Sequence, residues 1–455
     1  MSVLPGAEDT IVAIATPPGR GAIAIVRMSG RDATRILVRV TTQFEMATPR
    51  VAHLASVYDP LDGTVLDEAL ITLFRGPNSY TGEDVVEVSV HGGAVVPTLV
   101  LRALINAGAR QALPGEFTRR AVFNGRMDLL QAEAVADLID ARSRLAHRVA
   151  ISQLDGALSR RAIELRDRIL EIEALVAYDI DFPEEDEGSV DHGRLSEALS
   201  RTLAALDELL ATRGSGEMLR EGALVVIGGA PNAGKSSLFN TLVGRERAIV
   251  TDIAGTTRDA IEALIEIRGW PVRLVDTAGL RESADVVERI GIEISERYLA
   301  SADVVLLCAD HADELVHLVE RMSALTPASI VPVLAKADLR SEVAEEHMPG
   351  AIPVSALTGE GVDALAERVA ALLADRFGAA VEEAPVLTRE RHRAAVDAAR
   401  AELLAFREAW ELHQVPTAVA AIHLHQAAHH LGELIGSIDV EDVLGRVFST
   451  FCVGK

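Results

Sequence analysis

The chain has 455 residues, of which 49% are hydrophobic and 25% charged, an ordinary balance for a globular protein. This composition excludes a mainly disordered or collagen-like chain, and the length predicts about three domains of roughly 150 residues each. With 44 Lys+Arg against 68 Asp+Glu, the net charge is −24, which argues against a protein that coats nucleic acid through overall positive charge.

The N-terminus lacks the basic and apolar segments of a secretory signal. The sequence also lacks an apolar run of the roughly 18–20 residues that a membrane-spanning helix requires. The two cysteines, Cys308 and Cys452, provide no disulfide framework, as is typical of reducing compartments. We therefore expect a cytoplasmic protein.

Lysine is almost absent, because only three of the 44 basic side chains are lysine: Lys235, Lys336 and Lys455. Arginine carries a broad planar guanidinium group, whereas lysine carries a compact ammonium group on a narrow aliphatic chain. The three lysines are therefore candidates for positions that a guanidinium would not fit. Survival of three lysines by chance is the alternative.

The first part of the chain is predicted to be an α+β domain, residues 1–118. Short apolar or alternating runs bounded by Gly, Pro and Asp predict strands at residues 10–15, 22–28, 69–74 and 85–91. Residues 94–107 have the apolar spacing of a helix.

From about residue 118 the pattern becomes helical. Apolar residues recur at spacings of three and four over residues 127–154, 162–177 and 195–211, and again over 387–412, 417–435 and 440–451. Between these sets, predicted strands at 223–228, 273–276, 304–308 and 330–334 alternate with helices, which indicates a doubly wound parallel sheet. We therefore predict a discontinuous all-α domain, residues 119–217 and 381–455, with an α/β domain, residues 218–380, inserted into it.

Residues 229–236 read G-A-P-N-A-G-K-S and match G-x4-G-K-[ST] between a predicted strand and a predicted helix. The glycines let main-chain N–H groups turn toward phosphate, and the helix N-terminus adds partial positive charge. We expect Lys235 to reach the β- and γ-phosphates and the Ser236 hydroxyl to hold Mg²⁺. A chance glycine-rich turn is the alternative, which the strand–loop–helix context disfavours.

Two later segments suit the metal and the γ-phosphate. Asp276 ends a predicted strand and begins the sequence D-T-A-G, so that its carboxylate suits the second coordination shell of the metal and the Gly279 amide can sense the γ-phosphate. Thr256 and Thr257 lie about twenty residues after the phosphate loop, where a switch threonine can close on Mg²⁺.

The base specificity is predicted from residues 335–338, A-K-A-D, which resemble the guanine-reading motif N-K-x-D. The Asp338 carboxylate can accept both N1–H and the exocyclic N2–H of guanine, which adenine cannot supply. The Lys336 stem can lie on the base, and residues 355–357, S-A-L, resemble the segment that contacts guanine O6. These features predict a Ras-like P-loop GTPase. Because Ala335 replaces the asparagine that ties this loop to the phosphate loop, we expect weakened but still guanine-selective binding.

The group that orients the attacking water is not obvious. Leu280 occupies the position that holds the water-orienting glutamine in Ras-like enzymes. Glu288 is a candidate replacement that would act through a bridging water, but its spacing alone favours a solvated helix charge.

Several motifs occur together and in order along the chain: residues 15–21, 76–84, 91–93, 114–117, 251–259, 276–281, 288–293 and the terminal F-C-V-G-K at 451–455. With them the chain resembles the bacterial tRNA uridine-modification GTPases of the MnmE (TrmE) family over its whole length. Ribosome-assembly GTPases share only the central domain.

The resemblance implies a potassium-stimulated GTPase that acts with an FAD-dependent partner, MnmG, on the wobble uridine of certain tRNAs. The product carries an aminomethyl or carboxymethylaminomethyl group at C5, built with a one-carbon unit from 5-formyltetrahydrofolate, while FAD and NADH belong to the partner. The resemblance also implies a homodimer that joins MnmG in a heterotetramer or larger assembly.

The resemblance assigns roles to individual residues. The folate contacts are Arg27, Glu87, Arg126 and Lys455, with Arg126 in place of the family's usual lysine. Potassium is assigned to Asn232, Thr251, Ile253 and Thr256, Mg²⁺ to Ser236 and Thr257, and catalysis to Glu288, Lys235 and Gly279. The GTP contacts are Asn232, Ala233, Gly234, Lys235, Ser236, Ser237, Thr251, Asp252, Ile253, Ala254, Gly255, Thr256, Thr257, Asp276, Thr277, Ala278, Gly279, Lys336, Asp338, Ser355, Ala356 and Leu357.

Two other functions stay open. One is a ribosome-associated or regulatory GTPase that acts by conformational binding, which a KH or other basic RNA module would favour; the sequence shows no such module. The other is a folate-binding scaffold with a vestigial GTPase, which Ala335 suggests.

Some residues have open assignments. Cys452 is either a nucleophile near the folate or a small packed residue, and Cys308, in an apolar strand, is predicted to be core. His425 and His429 are spaced i, i+4 within the cluster His423, His425, His429 and His430, but without a helix-borne acid or third ligand we do not expect a metal site. The candidates for tRNA contact, which are otherwise solvated helix faces, are Arg119, Arg120, Arg126, Arg142, Arg144 and Arg148.

Overall fold

The computed structural model describes residues 8–42, 48–181, 192–230, 232–245, 261–276, 298–339, 349–383, 385–412 and 416–436, together with residues 447, 451 and 454. The chain divides into two compact units, one formed by Met1–Ala136 with Ile435–Lys455 and the other by Asp137–Leu434. Among the described residues, no helix is both long enough and apolar enough to cross a membrane.

The first unit contains a six-stranded sheet. Its strands are β1 (Ile11–Ile14), β2 (Ile23–Ser29), β3 (Ala52–Tyr58), β4 (Val65–Phe74), β5 (Val85–His91) and β6 (Arg110–Gln111). Their order across the sheet is β3-β4-β5-β2-β1-β6, and all pairs are antiparallel except β1 with β6. Alternation along β5 places Val86, Val88 and Val90 in the core.

Helices α1 (Ala33–Val40) and α2 (Val96–Asn106) pack against this sheet. Their side chains, with Leu37 and Leu104 fully buried, join those of the strands in one apolar core. Helix α3 (Glu116–Phe123) and helix α4 (Leu129–Asp140) follow in the chain. Leu129, the first residue of α4, packs with Phe451, so that the C-terminal segment belongs to this unit.

The second unit combines helices with a second sheet. Its helices outside the sheet region are α5 (Arg144–Leu154), α6 (Ala157–Asp181), α7 (His192–Ala211), α8 (Arg213–Glu221), α12 (Glu390–Leu412) and α13 (Thr417–Ile435). Both α6 and α12 pack against α7. The Gln153 side-chain amide donates to the Val386 carbonyl over 2.8 Å, and the Leu387 amide donates to Thr212 Oγ1 over 3.1 Å. Helices that the sheet region separates in sequence are therefore joined in space.

The second sheet consists of β7 (Ala223–Gly229), β8 (Ile261–Ile267), β9 (Trp270–Asp276), β10 (Val304–Ala309), β11 (Ser329–Ala335) and β12 (Ile352–Val354). The order is β12-β11-β10-β7-β9-β8, parallel except for the β8–β9 hairpin. Helices α9 (Lys235–Arg245), α10 (Ala312–Ser323) and α11 (Val362–Glu383) flank it. Strands β8 and β9, which follow β7 in the chain, lie on one side of it, and the later strands β10 to β12 lie on the other. The carboxyl end of β7 is therefore the switch point, where such sheets bind ligands.

The predicted fold class is confirmed: an α+β N-terminal domain, a discontinuous helical domain and an inserted α/β P-loop domain. The two compact units do not separate the helical domain from the P-loop domain. The boundaries that we place at residues 118, 217 and 380 therefore stay predictions.

Several local features differ from the sequence prediction, and two of them have a clear physical reason. The single helix predicted over 127–154 is divided into α4 and α5, because Ser143 is extended and its hydroxyl caps α5 by accepting a hydrogen bond from the Ala146 amide. The sequence also does not predict β3, an edge strand in which only Val57 is buried. A strand that buries one side chain carries little of the alternation that identifies strands.

Candidate nucleotide-binding site

The phosphate loop joins the buried strand β7 to helix α9. Three of its residues, Gly229, Asn232 and Gly234, have positive φ angles of 135°, 61° and 78°. A Cβ atom at Gly229 would lie 2.0 Å from the Cys308 carbonyl oxygen, so no side chain fits there. A Cβ at Gly234 would meet no atom of the described residues within 4 Å. The described part of the loop therefore has the left-handed backbone of a phosphate cradle.

Lys235, the first residue of α9, points into this loop. Its side chain is buried, and Nζ donates to the main-chain oxygens of Gly229 and Ala230 over 3.2 and 2.6 Å. An ammonium group at a helix N-terminus concentrates positive charge where phosphate oxygens bind. The predicted phosphate-binding role of Lys235 fits this position.

Ser236 and Asp276 lie together where the sequence predicts the Mg²⁺ site. The Ser236 hydroxyl donates to Asp276 Oδ2 over 2.6 Å, and Asp276 is fully buried at the carboxyl end of β9. Parallel pairing of β9 with β7 places Asp276 opposite Ile227, two residues before the loop begins. A hydroxyl and a carboxylate are the hard oxygen ligands that Mg²⁺ prefers, so these residues fit the ion. Bound there, Mg²⁺ would neutralise charge on the phosphates.

The guanine motif lies at the same edge of the sheet. Strands β11 and β12 are parallel neighbours, with Ala335 opposite Val354, so the loops that follow them lie side by side. The Ser355 hydroxyl donates to Asp338 Oδ1 over 2.6 Å and accepts a hydrogen bond from the Thr358 amide. The Asp338 carboxylate is thereby held in place beside the segment that is predicted to contact guanine O6.

Lys336 has a partner that the sequence does not predict. Its φ angle is 57°, and its ammonium group binds Asp310 Oδ2 over 2.6 Å. Asp310 directly follows the buried strand β10, as Lys336 follows β11. That shared position at the carboxyl end of neighbouring parallel strands is the signal that could have identified it.

Among the described residues, two side-chain contacts connect the guanine motif to the rest of the site, although Ala335 lacks the usual side-chain amide. The first is the Lys336–Asp310 ion pair. The second is a hydrogen bond of 3.0 Å from the Thr241 hydroxyl on α9 to the Ala356 carbonyl. Leu357, the last residue of the S-A-L segment, is strongly exposed. Weakened but guanine-selective binding stays a prediction.

Many predicted site residues lie outside the described residues: Thr251, Asp252, Ile253, Ala254, Gly255, Thr256, Thr257, Thr277, Ala278, Gly279, Glu288 and Lys455, together with Cys452. Their assigned roles stay predictions. Asn232, Ala233, Gly234 and Ser237 are described and lie in or directly after the phosphate loop. Cys308 is fully buried on β10, which confirms that it is a core residue.

Two predicted folate contacts meet in the first unit. Arg27 on β2 faces Glu87 on β5, and both Nε and Nη2 of the guanidinium lie within 2.9 Å of Glu87 Oε1. Arg27 Nη1 also lies 3.5 Å from the carbonyl oxygen of Gly454, the residue before Lys455. An Arg–Glu pair of this kind can present both donors and an acceptor to a polar heterocycle.

Aromatic side chains complete the surroundings of Arg27. The guanidinium carbon lies 5.4 Å from the ring centroid of Tyr80 and 5.9 Å from that of Phe117. Burial raises the pKa of the Tyr80 hydroxyl above its usual value, although a hydrogen bond with Thr118 opposes this shift. Arg126 is exposed and donates through Nε to the carbonyl of Ser79, next to Tyr80. The sequence does not predict a role for Tyr80, because its contact with Arg27 spans distant parts of the chain.

A nucleotide lying along this edge of the sheet would place its phosphates beside Lys235 and the Ser236–Asp276 pair, which is predicted to hold Mg²⁺. Its base would lie beside the Asp338 carboxylate, which is predicted to recognise guanine. That arrangement defines a P-loop GTPase, a GTP hydrolase. Two family models match the chain: the GTP-binding protein TrmE N-terminus over residues 10–126 and the MnmE helical domain over residues 129–452. The chain belongs to the MnmE family, which confirms the resemblance seen in its sequence.

Individual relatives agree with the family assignment. The tRNA modification GTPase MnmE of Aquifex aeolicus is 42% identical over 98% of this chain and 100% of its own length. The protein of the same name from Moorella thermoacetica is 43% identical over the same shares. Among solved structures, the G domain of the T. maritima FeoB iron transporter covers 33% of this chain and 98% of its own, at 24% identity and a TM-score of 0.25. A score that low supports no inference about this chain.

Proposed function

We propose that this GTPase modifies the wobble uridine of certain tRNAs at C5, using a folate one-carbon unit and an FAD-dependent partner, MnmG. The observation that carries the proposal is the presence in one chain of two polar sites: the Ser236–Asp276 pair in the phosphate site and the Arg27–Glu87 pair in the N-terminal unit. A regulatory GTPase needs only the first of them. The full-length similarity to proteins named tRNA modification GTPase also supports the proposal.

In the GTPase site, Lys235 would bind the β- and γ-phosphates, while Ser236 and Thr257 would hold Mg²⁺. Potassium would be held by Asn232 with Thr251, Ile253 and Thr256, where a monovalent cation would stabilise negative charge on the phosphates. Asn232 supports this assignment, because it is exposed at the loop surface with a left-handed backbone. Glu288 would orient the attacking water.

In the N-terminal unit, Arg27, Glu87, Arg126 and Lys455 would bind 5-formyltetrahydrofolate. The Glu87 carboxylate can accept hydrogen bonds from the N–H groups of a pterin, and the guanidinium of Arg27 holds that carboxylate in position. We expect Glu87→Gln to weaken folate binding by about tenfold or more, since it removes the charge of an acceptor. Glu68→Gln, on an exposed position of β4, is the matched control. Equal folate affinity in both variants would refute the role of Glu87.

We further propose that the chain works as a homodimer joined to MnmG and that exposed arginines contact tRNA. Arg120 is not among them, because it is buried and held by Glu83 and Glu116. Arg144 and Arg148 are exposed and line a cavity of about 420 Å³ beside Trp270. Arginines of this kind bind the phosphate backbone in a salt-dependent manner.

The decisive experiment is nucleoside analysis of tRNA from cells that lack this protein. We expect the C5 modification of the wobble uridine to be lost, to return with the wild-type gene, and to remain absent with Ser236→Ala. Normal modification in the deletion strain would refute the proposed function and favour a ribosome-associated or regulatory GTPase. Restoration by Ser236→Ala would show that modification does not need GTP hydrolysis.

A further inference from the structure

Helix α13 carries two histidines and a glutamate whose side chains converge. His429 Nδ1 lies 3.8 Å from Glu433 Oε1, and His430 Nδ1 lies 3.3 Å from Glu433 Oε2. Three potential ligand atoms, one from each residue, lie within 4.8 Å of one another. Spacings of four and three residues bring both imidazoles onto the turn that carries Glu433. Glu433 therefore supplies the helix-borne acid whose absence from the histidine cluster argued against a metal site.

The nitrogen of His429 that faces this group has no hydrogen-bond partner among the described residues. Nδ1 is buried although the imidazole as a whole is partly exposed, and Glu433 at 3.8 Å is beyond hydrogen-bond distance. A buried polar atom without a partner is unfavourable. A cation between the imidazole and the carboxylate would satisfy it.

The neighbouring guanidinium of Arg391 bonds main-chain oxygens and leaves the Glu433 carboxylate available to bind an ion. Arg391, on α12, donates to the main-chain oxygens of Glu433 and Leu434 at 3.5 and 3.3 Å. Among the described residues, the Glu433 carboxylate pairs with the two imidazoles. All three side chains remain partly exposed, which gives an ion a path from solvent.

The other histidines of α13 are arranged differently. His423 pairs with Glu402 at 2.6 Å, and His425 lies 3.5 Å from Glu173. Each of these is one imidazole with one carboxylate from another helix. Within the part of the chain that the structure describes, His429, His430 and Glu433 form the one group of at least three convergent ligand residues.

We propose that His429, His430 and Glu433 bind a divalent transition-metal ion of the zinc class. Imidazole nitrogens with a carboxylate suit Zn²⁺, Co²⁺, Ni²⁺ or Cu²⁺, whereas Mg²⁺ and Ca²⁺ prefer sets of oxygen ligands. Metal–ligand bonds of about 2.0–2.2 Å require ligand atoms roughly 3.3 Å apart, whereas the ligand atoms in the structure lie at most 4.8 Å apart. Three protein ligands leave at least one position for water.

The test uses the untagged full-length protein, stripped with a chelator and loaded with Mg²⁺ and GDP so that the nucleotide site is occupied. Titration with Co²⁺ is followed by its visible absorption, and Zn²⁺ is then added as a competitor. We expect one equivalent of Co²⁺ to bind with the absorption of a four- or five-coordinate ion and to be displaced by Zn²⁺.

Two variants and one control locate the ion. His429→Ala and Glu433→Gln should each weaken Co²⁺ binding more than about tenfold. Loss of a group that only hydrogen-bonds to a metal ligand already costs about that much, and loss of the ligand itself should cost more. His425→Ala, which removes an exposed imidazole of the same helix, should bind like the wild type. Circular dichroism and thermal melting verify that the variants are folded. Absence of saturable Co²⁺ binding in the wild type, or unchanged binding in both folded variants, would overturn the proposal.

Discussion

The Ser236 hydroxyl donates a hydrogen bond to the fully buried carboxylate of Asp276 across 2.6 Å. A buried carboxylate without partners is costly, so this bond stabilises the site and points one Asp276 oxygen toward the phosphate loop. We predict that Mg²⁺ binds these same two oxygen groups when GTP enters. Substitution of either residue is therefore expected to affect both the stability of the site and its metal binding.

Ser236→Ala and Asp276→Asn should lower the rate of Mg²⁺-dependent GTP hydrolysis by about 100-fold or more, because each removes an oxygen group from the metal site. The measurement is phosphate release at saturating GTP with varied Mg²⁺. Ser323→Ala, which removes a hydroxyl bonded to the Val319 carbonyl on α10, is the matched control and should retain full activity. Hydrolysis by Ser236→Ala at the wild-type rate would contradict the assignment.

Lys235→Arg should abolish GTP binding although the charge is retained. The ammonium group sits in a buried position between the carbonyl oxygens of Gly229 and Ala230, and a guanidinium is too wide for that space. Affinity for a fluorescent GTP analogue measures the effect. Arg213→Lys, the reverse exchange at an exposed position of α8, should leave affinity unchanged. If Lys235→Arg binds normally, the rarity of lysine says nothing about the site.

Asp338→Asn should change the preferred base from guanine to xanthine. The Asp338 carboxylate accepts hydrogen bonds, whereas an asparagine amide can also donate one to the C2 carbonyl of xanthine. We expect GTP affinity to fall by roughly 10–100-fold, corresponding to about 1.5–3 kcal/mol for a hydrogen bond to a charged group, and xanthosine triphosphate to become the better ligand. Competition binding with both nucleotides tests this. An unchanged GTP preference would exclude Asp338 as the residue that reads the base.

Ala335→Asn should tighten GTP binding. Among the described residues, Lys336–Asp310 and Thr241–Ala356 connect the guanine motif to the site, and position 335 carries no side-chain amide. An added hydrogen bond to the phosphate loop is worth about 0.5–1.5 kcal/mol, or roughly 2–10-fold in affinity. Titration with GTP and GDP measures it, with Ala335→Leu as the variant that adds volume without the amide. Equal affinity of Ala335→Asn and the wild type would show that the existing contacts already suffice.

The parts of the site that could be predicted from sequence are those formed by consecutive residues. The phosphate loop is predictable because Gly229, Gly234 and Lys235 act through the local backbone of one strand, loop and helix. Asp310 and Tyr80 are not, since their contacts with Lys336 and Arg27 depend on tertiary packing. The boundary at Ser143 is likewise missed, because the apolar periodicity that predicts one helix continues through the N-cap that divides α4 from α5.

Cys308 should make the stability of the second unit depend on pH above 9. Burial raises the pKa of its thiol from a usual value of 9.0 to about 12, with Lys235 opposing the shift and Asp276 and Asp310 adding to it. Between these values the unfolded chain loses the thiol proton while the folded chain keeps it. The unfolding free energy should therefore fall with rising pH, by about 1.4 kcal/mol per pH unit from this group. Because tyrosines titrate in the same range, the measurement is the difference between urea unfolding of Cys452→Ser and of Cys452→Ser with Cys308→Ala. Parallel pH profiles of the two would show that the Cys308 thiol is not held protonated by the fold.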